Sequence, residues 1–315
     1  MTRAAAIDCG TNSIRLLVAD VPGAGGAALD DVVREMRVVR LGQGVDRTGR
    51  LAEDALERTF AAAREYAQLC EQHGAERIRF VATSATRDAE NRQVFVDGIR
   101  EILGVEPEVV TGEAEAALSF AGAASVLAEG TPGPVVVVDI GGGSTELVVG
   151  DPRSATPDAA VSLDVGCVRL TERHLVADPP SAEQEAAARA DVRRLLEDAD
   201  LPLGGVRTLI GVAGSVTTVT AHALGLPAYD PAAINGSVLT EAAVLAACDE
   251  LLAASRAQRE AMPFMHPGRI DVIGGGALVW SEVVRHVSER TGGAGTAGVV
   301  TSEHDILDGI ALSLA

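Results

Sequence analysis

The chain contains no lysine: all 26 of its basic residues are arginines. A Walker A phosphate loop requires a lysine, and the ATP site of protein kinases requires one as well. Schiff-base catalysis depends on a lysine amine in the same way. The composition therefore excludes these three kinds of site before any residue pattern is considered.

Other residue patterns are missing too. The four cysteines form no Cys-x-x-Cys pair, and the six histidines form no His-Glu-x-x-His motif, which disfavours a zinc site and favours a reducing compartment. The longest apolar runs are far shorter than a membrane span, and no basic-then-apolar export segment is present at the N-terminus. We therefore expect a cytoplasmic protein with no membrane partner.

The chain is strongly acidic, with a formal net charge of −19 and a pI of about 4.7. Sequence-independent binding to nucleic acid needs a basic surface, so nucleic acid is not expected as a partner. A small anionic substrate needs only local cations or a metal. At 315 residues with 47% hydrophobic and only 3% aromatic residues, the chain predicts two ordinary domains with cores of Ala, Val, Leu and Ile.

Two segments of the chain, residues 8–20 and 139–151, have nearly the same sequence. They share Asp, Gly, Ser, Leu, Val and Asp at equivalent positions, and each reads as a strand, a tight polar turn and a second strand. The separation of the two segments is too long for a solenoid repeat. The pattern predicts a duplicated α/β domain with one anion-binding turn in each half and a cleft between the halves.

Both turns can present successive backbone N–H groups to a phosphate, because glycine permits close approach. The residues predicted to bind phosphate here are Thr11, Asn12, Ser13, Gly141, Gly142, Gly143 and Ser144. The alternative interpretation is a pair of ordinary hairpins. The repeat, with an Asp at the start of each turn, favours the anion-binding interpretation.

Acidic residues flank the second turn. A hairpin would bring the carboxylates of Asp139 and Glu146 to the same side, and oxygen ligands of this kind suit Mg²⁺ or Mn²⁺. Asp8 is the matching carboxylate of the first half and a further candidate ligand, although Asp8 or Asp139 could instead bond only to its own turn. Arg15 stands where the second half has Glu146, which suggests that one half supplies positive charge and the other a metal ligand.

Local patterns predict the remaining elements. The apolar segment Arg269–Arg285 is predicted to be a buried helix. Its three glycines at 274–276 each cost roughly 1 kcal/mol of helix stability and therefore imply the close approach of another backbone or a ligand. The pattern Ser302-x-x-Asp305 predicts the cap of a terminal helix. Helical spacing predicts further helices near 52–72, 88–103, 113–127, 168–176, 182–198 and 241–254.

The stretch Glu129–Pro134 is the clearest boundary signal, because Gly and Pro cluster there and the strand-turn-strand pattern restarts after it. We predict a first domain formed by residues 1–124 plus 302–315 and a second domain formed by residues 125–301.

Five motifs, in this order, resemble the exopolyphosphatase and guanosine-pentaphosphate phosphohydrolase family of the actin, hexokinase and acetate-kinase superfamily. They are Ala6–Ser13, Thr83–Arg87, Thr111–Ala116, Val138–Leu147 and Gly166–Leu170. The resemblance covers essentially the whole chain and implies two duplicated actin-like, or ribonuclease H-like, domains with an interdomain cleft. The extra helical domains of longer members find no match, so short polymers are the expected substrates.

The resemblance also implies roles for single residues. Glu115 matches the catalytic glutamate as general base, with Glu113 as its competitor. Arg87 and, with a weaker match, Arg269 correspond to phosphate-binding arginines. The resemblance implies divalent-metal dependence and a homodimer, and it implies that the turn at Gly166 touches the cleft. Without a nearby histidine motif, Cys167 is expected to serve in backbone contact or core packing and not as a nucleophile.

The function that this resemblance implies is the release of terminal orthophosphate from inorganic polyphosphate. Three alternatives remain open: removal of the 5′ phosphate from guanosine pentaphosphate, an actin-fold ATPase or small-molecule kinase, and a sensor that binds such ligands without turnover.

Overall fold

The structure is a computed structural model that describes residues 1–23, 29–127, 130–154, 156–291 and 298–315. The chain divides into two compact units: unit 1 is formed by Met1–Val126 with Asp305–Ala315, and unit 2 by Leu127–His304. The boundaries predicted from the sequence are at residues 124/125 and 301/302. Glu129, the first residue of the predicted boundary segment, falls outside the described residues.

Unit 1 is built on a mixed sheet with the strand order β3-β2-β1-β4-β5. Its strands are β1 (Thr2–Cys9), β2 (Ser13–Val21), β3 (Asp30–Val38), β4 (Arg77–Ala82) and β5 (Glu108–Val109). Its helices before the chain leaves for unit 2 are α1 (Val45–Thr48), α2 (Glu53–Gln72), α3 (Ser84–Asp88), α4 (Arg92–Leu103) and α5 (Gly112–Ala124).

Unit 2 contains a sheet with the order β10-β11-β9-β6-β7-β8. Its strands are β6 (Val135–Ile140), β7 (Thr145–Gly150), β8 (Ala159–Leu163), β9 (Thr208–Val212), β10 (Val238–Leu239) and β11 (Val299–Thr301). Its helices are α6 (Cys167–His174), α7 (Ala182–Asp198), α8 (Ala213–Ala223), α9 (Pro231–Ile234), α10 (Glu241–Ala253), α11 (Arg256–Glu260) and α12 (Ile273–Arg290). The chain then returns to unit 1 as α13 (Ile306–Leu312).

The two sheets repeat the same topology. In unit 1, β1 pairs antiparallel with β2, β2 antiparallel with β3, and β1 parallel with β4. In unit 2, β6 pairs antiparallel with β7, β7 antiparallel with β8, and β6 parallel with β9. The sequence repeat therefore corresponds to a duplicated fold, and each repeated turn joins the first two strands of its unit.

The central strands are apolar on both faces because helices cover both sides of the sheet. In unit 1, Ile7 packs into the core under α2 and α4, whereas its neighbour Ala6 packs with Ile310 of α13 on the other face. In unit 2 the core is built around α12, whose Trp280 is completely buried. Each strand is thereby fixed in register, because a slip by one residue would exchange its two faces.

Three predictions about local structure differ from what the structure shows. The helix predicted over 88–103 begins later, at Arg92, as α4, and residues 84–88 before it form a separate short helix, α3. The prediction that Ser302 caps the terminal helix is wrong, because its hydroxyl bonds to the backbone of His304. Asp305 is the actual N-cap: its Oδ1 accepts the Leu307 N–H at 3.0 Å. The predicted buried helix at 269–285 exists as α12, shifted to Ile273–Arg290.

None of the helices in the part of the chain that the structure describes combines the length and apolar character needed to cross a membrane.

Candidate active site

The two repeated turns are closed by the same backbone hydrogen bond. In unit 1 the Gly10 N–H donates to the Ser13 carbonyl at 2.9 Å, and in unit 2 the Gly141 N–H donates to the Ser144 carbonyl at 3.0 Å. We call residues 10–13 loop 1 and residues 141–144 loop 2. Because the same hydrogen bond closes both turns, the duplication extends from the strands to the geometry of the turns.

Loop 1 is held from two sides within unit 1. The Asn12 carbonyl accepts hydrogen bonds from the N–H groups of Val39 and Arg40, at 3.1 and 2.8 Å. The buried Thr11 hydroxyl lies 2.9 Å from the Ser84 hydroxyl at the start of α3. Loop 1 is therefore tied to the helix that carries Arg87.

Loop 2 is held by the N-terminus of α6. The Gly141 carbonyl accepts from the Cys167 N–H at 3.0 Å, and the Gly142 carbonyl accepts from the Val168 N–H at 2.9 Å. A Cβ at Gly166 would lie 2.6 Å from the Gly142 carbonyl carbon, so this close approach requires glycine. Gly166 thus contacts loop 2 through its backbone, and burial raises the pKa of the neighbouring Cys167 thiol, which disfavours a nucleophilic thiolate.

Three polar atoms at the two loops are buried and have no hydrogen-bond partner in the described structure: Asp8 Oδ1, Asn12 Oδ1 and Ser144 Oγ. Buried polar atoms are nearly always paired with protein, water or a ligand. Both loops therefore present polar groups that a bound molecule or ordered water can satisfy.

Asp139 and Glu146 are direct partners across the β6–β7 hairpin, so both side chains are on the same face of the sheet. Both are buried, and the Ser162 hydroxyl of β8 donates to Glu146 Oε1 at 2.7 Å. Among the described residues, no group of three or more His, Cys, Asp or Glu could hold a metal ion. Two oriented carboxylates fit Mg²⁺, which keeps several waters and takes further oxygens from substrate phosphates.

The equivalent hairpin of unit 1 has a different pair. Asp8 is the direct partner of Arg15 across β1 and β2. Arg15 Nη2 donates to Asp8 Oδ2 at 2.7 Å, and Arg15 Nη1 donates to Asp305 Oδ2 at 2.5 Å. All three groups are within unit 1.

Glu115 lies in the first turn of α5, whose N-cap Thr111 accepts a hydrogen bond from the Ala114 N–H. Glu115 is only 7% exposed, whereas Glu113 is exposed to solvent. Arg87 Nη1 donates to Glu115 Oε2 at 3.0 Å and to the Val110 carbonyl at 3.1 Å. Burial and this ion pair distinguish Glu115 from its acidic neighbour.

In unit 2, Arg269 lies where α8 begins. Its Nη1 donates to Thr218 Oγ1 at 2.9 Å, and its guanidinium lies 5.8 Å from the centre of the Tyr229 ring. Burial raises the pKa of Tyr229 to about 12, so this phenol stays neutral beside the arginine. Gly214 contacts the guanidinium so closely that a Cβ there would overlap it.

The glycines of α12 also have close neighbours, as predicted. A Cβ on Gly275 would lie 2.7 Å from the Cys167 carbonyl, and a Cβ on Gly276 would overlap the Ser215 side chain. These glycines therefore allow α6 and α8 to pack against α12.

The structure divides the predicted site residues between the two units. In unit 1, contacts connect loop 1, Arg87 and Glu115. In unit 2, loop 2 lies between the paired strands that carry Asp139 and Glu146, and Arg269 contacts α8. Sequence reasoning missed Ser162 and the bond from Asp305 to Arg15; the alternation of β8 and the Asp305 motif were the signals that could have indicated them.

Comparison with known proteins identifies relatives along the whole chain. The sequence model of the Ppx/GppA phosphatase family matches residues 17–313. The chain is 53% identical over 325 residues to exopolyphosphatase 2 of Mycobacterium tuberculosis, an alignment that covers 100% of this chain and 99% of that protein.

Two solved structures have the same fold. An exopolyphosphatase-like protein superposes with a TM-score of 0.94 at 48% identity, covering 99% of this chain and 98% of the other. A Ppx/GppA enzyme of Aquifex aeolicus superposes with a TM-score of 0.79 at 30% identity, covering 99% of each chain. The family assignment made from the five motifs and the predicted two-domain actin-like α/β fold are both confirmed.

Proposed function

We propose that this chain, which belongs to the Ppx/GppA phosphatase family, is an exopolyphosphatase that releases terminal orthophosphate from inorganic polyphosphate, with short polymers as its substrates. The full-length likeness to exopolyphosphatase 2 supports the substrate class. The observation that carries the proposal is the buried Glu115, paired with Arg87 on the helix that is tied to loop 1.

The reaction we propose is an in-line displacement at the terminal phosphorus. The oxygen of a water molecule forms the new P–O bond, and the bond to the bridging oxygen breaks. The products are orthophosphate and a polymer one phosphate shorter. Glu115 orients the water and accepts its proton, which typically contributes 10²- to 10⁴-fold to the rate. Arg87 fixes the position of the Glu115 carboxylate.

Phosphate binding falls to the loops and the arginines. The backbone N–H groups and hydroxyls of loops 1 and 2 suit phosphoryl oxygens, and the buried Ser144 Oγ has no hydrogen-bond partner among the residues that the structure describes. Arg87 and Arg269 supply guanidinium groups, which match phosphate geometry better than a point charge does. The dense negative charge of a polyphosphate end requires this set of donors.

Asp139 and Glu146 are the residues that we propose to hold Mg²⁺ or Mn²⁺, with Ser162 orienting Glu146. When bound, such an ion offsets the charge that develops on the phosphoryl oxygens. Asp8, the third carboxylate predicted as a ligand, already accepts two hydrogen bonds from Arg15 through its Oδ2.

The test is phosphate release from short-chain polyphosphate by the purified chain, with Mg²⁺ and without any nucleotide. We expect turnover that stops when EDTA removes the metal. If the chain were an actin-fold kinase or ATPase, phosphate would be released only when ATP is present. A sensor predicts tight binding of polyphosphate with no turnover, and either result would contradict the proposal.

Guanosine pentaphosphate remains the second candidate substrate, because the same chemistry removes its 5′ phosphate. Side-by-side measurement of kcat/KM for the two substrates decides between them. We expect the larger value for polyphosphate, and a larger value for guanosine pentaphosphate would reassign the substrate without changing the chemistry.

A cytoplasmic location and a homodimeric state complete the proposal. All four cysteines are free and buried, which is consistent with a reducing compartment. The homodimer follows from the family resemblance alone, and light scattering after size-exclusion chromatography measures it directly.

A further inference from the structure

We propose that the guanidinium of Arg15, held between Asp8 and Asp305, supplies the positive charge in unit 1 that a metal ion would otherwise supply. Asp8 is then not a metal ligand, and the chain binds one catalytic divalent cation. The inference rests on the proposed function, because it concerns the metal of the same reaction.

The duplicated hairpins make the comparison between the two units direct. Asp8 faces Arg15 across β1 and β2, and Asp139 faces Glu146 across β6 and β7. These pairs occupy equivalent positions, because each aspartate precedes its loop by two residues and each loop closes with the same hydrogen bond. The strands and turns of the two hairpins repeat, but at this equivalent position unit 1 has the positively charged Arg15 and unit 2 has the carboxylate of Glu146.

The contacts of Arg15 show why Asp8 is unsuited to a metal. Both Nε and Nη2 of Arg15 donate to Asp8 Oδ2, at 3.0 and 2.7 Å. Asp8 and Arg15 are therefore a paired unit in which the carboxylate is only 4% exposed. Asp8 Oδ1 accepts no hydrogen bond among the described residues, but a divalent cation bound to it would lie beside the positive guanidinium of Arg15, which Coulomb repulsion opposes.

Asp305 fixes the opposite side of the guanidinium. Its Oδ2 accepts from Arg15 Nη1, while its Oδ1 accepts the Leu307 N–H as the N-cap of α13. The side chain is 3% exposed, and Asp308 Oδ2 accepts the Asp305 backbone N–H. The second carboxylate is thus oriented by the start of a helix, and it positions Arg15 rather than a metal.

The first experiment compares the two equivalent aspartates. Mn²⁺ is titrated into the purified chain in 0.15 M salt, which screens weak binding to the acidic surface, and free Mn²⁺ is followed by electron paramagnetic resonance. We expect one tight ion per chain. Asp139→Asn should raise the dissociation constant by at least about 10-fold, as loss of a metal-orienting group does, whereas Asp8→Asn should change it less than about 3-fold.

Two tight ions per wild-type chain would overturn the proposal, and so would an Asp8→Asn protein that loses Mn²⁺ as Asp139→Asn does. Wild-type stoichiometry decides the matter even if a variant does not fold. Absence of any tight ion would overturn this proposal together with the metal assignment of the proposed function. One tight ion without polyphosphate hydrolysis would leave this proposal standing and contradict the proposed function alone.

The second experiment builds the missing site. Arg15→Glu gives unit 1 three carboxylates, at positions 8, 15 and 305, in place of the ion-paired set. We expect this variant to bind two Mn²⁺ ions per chain, with the added ion raising its Tm. Arg15→Gln is the control and should bind one ion. If the Arg15→Glu protein binds a single ion like the control, the assignment of Arg15 as the substitute for a metal is wrong.

Discussion

Arg87 and Glu115 form an ion pair in which Arg87 Nη1 lies 3.0 Å from Glu115 Oε2. The arginine is in α3 and the glutamate in α5, 28 positions apart in the sequence. The side chain of Glu115 is only 9% exposed, so the arginine partner compensates a carboxylate that has little contact with water. The ion pair therefore joins two residues that the sequence analysis assigned separately, Arg87 as a proposed phosphate ligand and Glu115 as the proposed general base.

Removal of this arginine should affect catalysis more than folding. We expect Arg87→Ala to lower kcat/KM for polyphosphate by about 10²-fold. The variant loses a hydrogen-bond donor to the substrate phosphate together with the group that orients Glu115. Arg92→Ala is the matched control, since Arg92 is exposed at the start of the next helix. Steady-state kinetics of both variants are the measurement. Equal kcat/KM for the two variants would contradict the assignment of Arg87.

The hydroxyl of Ser162 should matter for metal affinity, because it donates to Glu146 Oε1 at 2.7 Å. Outer-shell bonds of this kind typically change metal affinity by 10- to 100-fold, and we expect Ser162→Ala to weaken Mg²⁺ activation by about 10-fold. Ser288→Ala removes a hydroxyl that bonds to the carboxylate of Glu241 on an exposed surface, and it should leave activation unchanged. Activity as a function of Mg²⁺ concentration compares them, and coincident curves for both variants would exclude the role of Ser162.

The contact between α5 and α13 depends on two glycines. A Cβ on Gly309 would overlap the Leu118 carbonyl, and a Cβ on Gly122 would overlap the Asp305 carbonyl. We expect Gly309→Ala to lower the free energy of unfolding by about 2 to 3 kcal/mol, because two helix backbones must separate. Gly204→Ala adds the same atom where no atom of the described residues lies within 4 Å, and it should stay within about 0.5 kcal/mol of wild type. Urea unfolding measures the free energy of unfolding of both variants. If Gly309→Ala lowers it no more than Gly204→Ala does, α5 and α13 accommodate the added methyl group and the assignment is wrong.

The pH dependence of stability contains a contribution from His266. Burial, and then the nearby charge of Arg269, lower the pKa of His266, and its Nδ1 accepts the Gly268 N–H at 3.1 Å. The unfolded chain therefore takes up this proton at a higher pH than the folded chain does. This contribution to stability is complete above about pH 6.5 and is lost as the pH falls through the folded-state pKa.

His266→Asn should flatten this slope, because the amide oxygen can accept the same N–H bond without titrating. We expect wild type to lose more stability than the variant between pH 7.5 and pH 5.5. Urea unfolding at the two pH values provides the comparison. Identical losses in the two proteins would show that His266 does not titrate differently on folding.

The sequence was sufficient to predict the duplicated fold because the signal is local and occurs twice. Alternating and continuous apolar runs determine β1, β2, β6 and β7, and the paired Asp-x-Gly turns indicate where each hairpin turns. The same logic placed Asp139 and Glu146 on one face, because antiparallel pairing makes them direct partners. The helix over 182–198 was predicted with the bounds that the structure has.

Contacts between distant segments could not be predicted in this way. The pairing of Arg87 with Glu115 depends on how α3 and α5 pack, and no spacing rule encodes that. The bond from Arg15 to Asp305 requires the last helix to return to the first sheet, which the sequence only suggested. The Ser-x-x-Asp pattern is typical of helix starts and predicts Ser302 as the cap, but Asp305 competes more effectively by forming its own capping box with Asp308.

The most direct test of the account compares two glutamates in the same helical turn. Phosphate release from short-chain polyphosphate is measured with Mg²⁺ for wild type, Glu115→Gln and Glu113→Gln. We expect Glu115→Gln to lower kcat by about 10²- to 10⁴-fold, as loss of a general base does, while Glu113→Gln keeps activity close to wild type. Full activity in Glu115→Gln, or an equal loss in both variants, would contradict the assignment of Glu115 as the base.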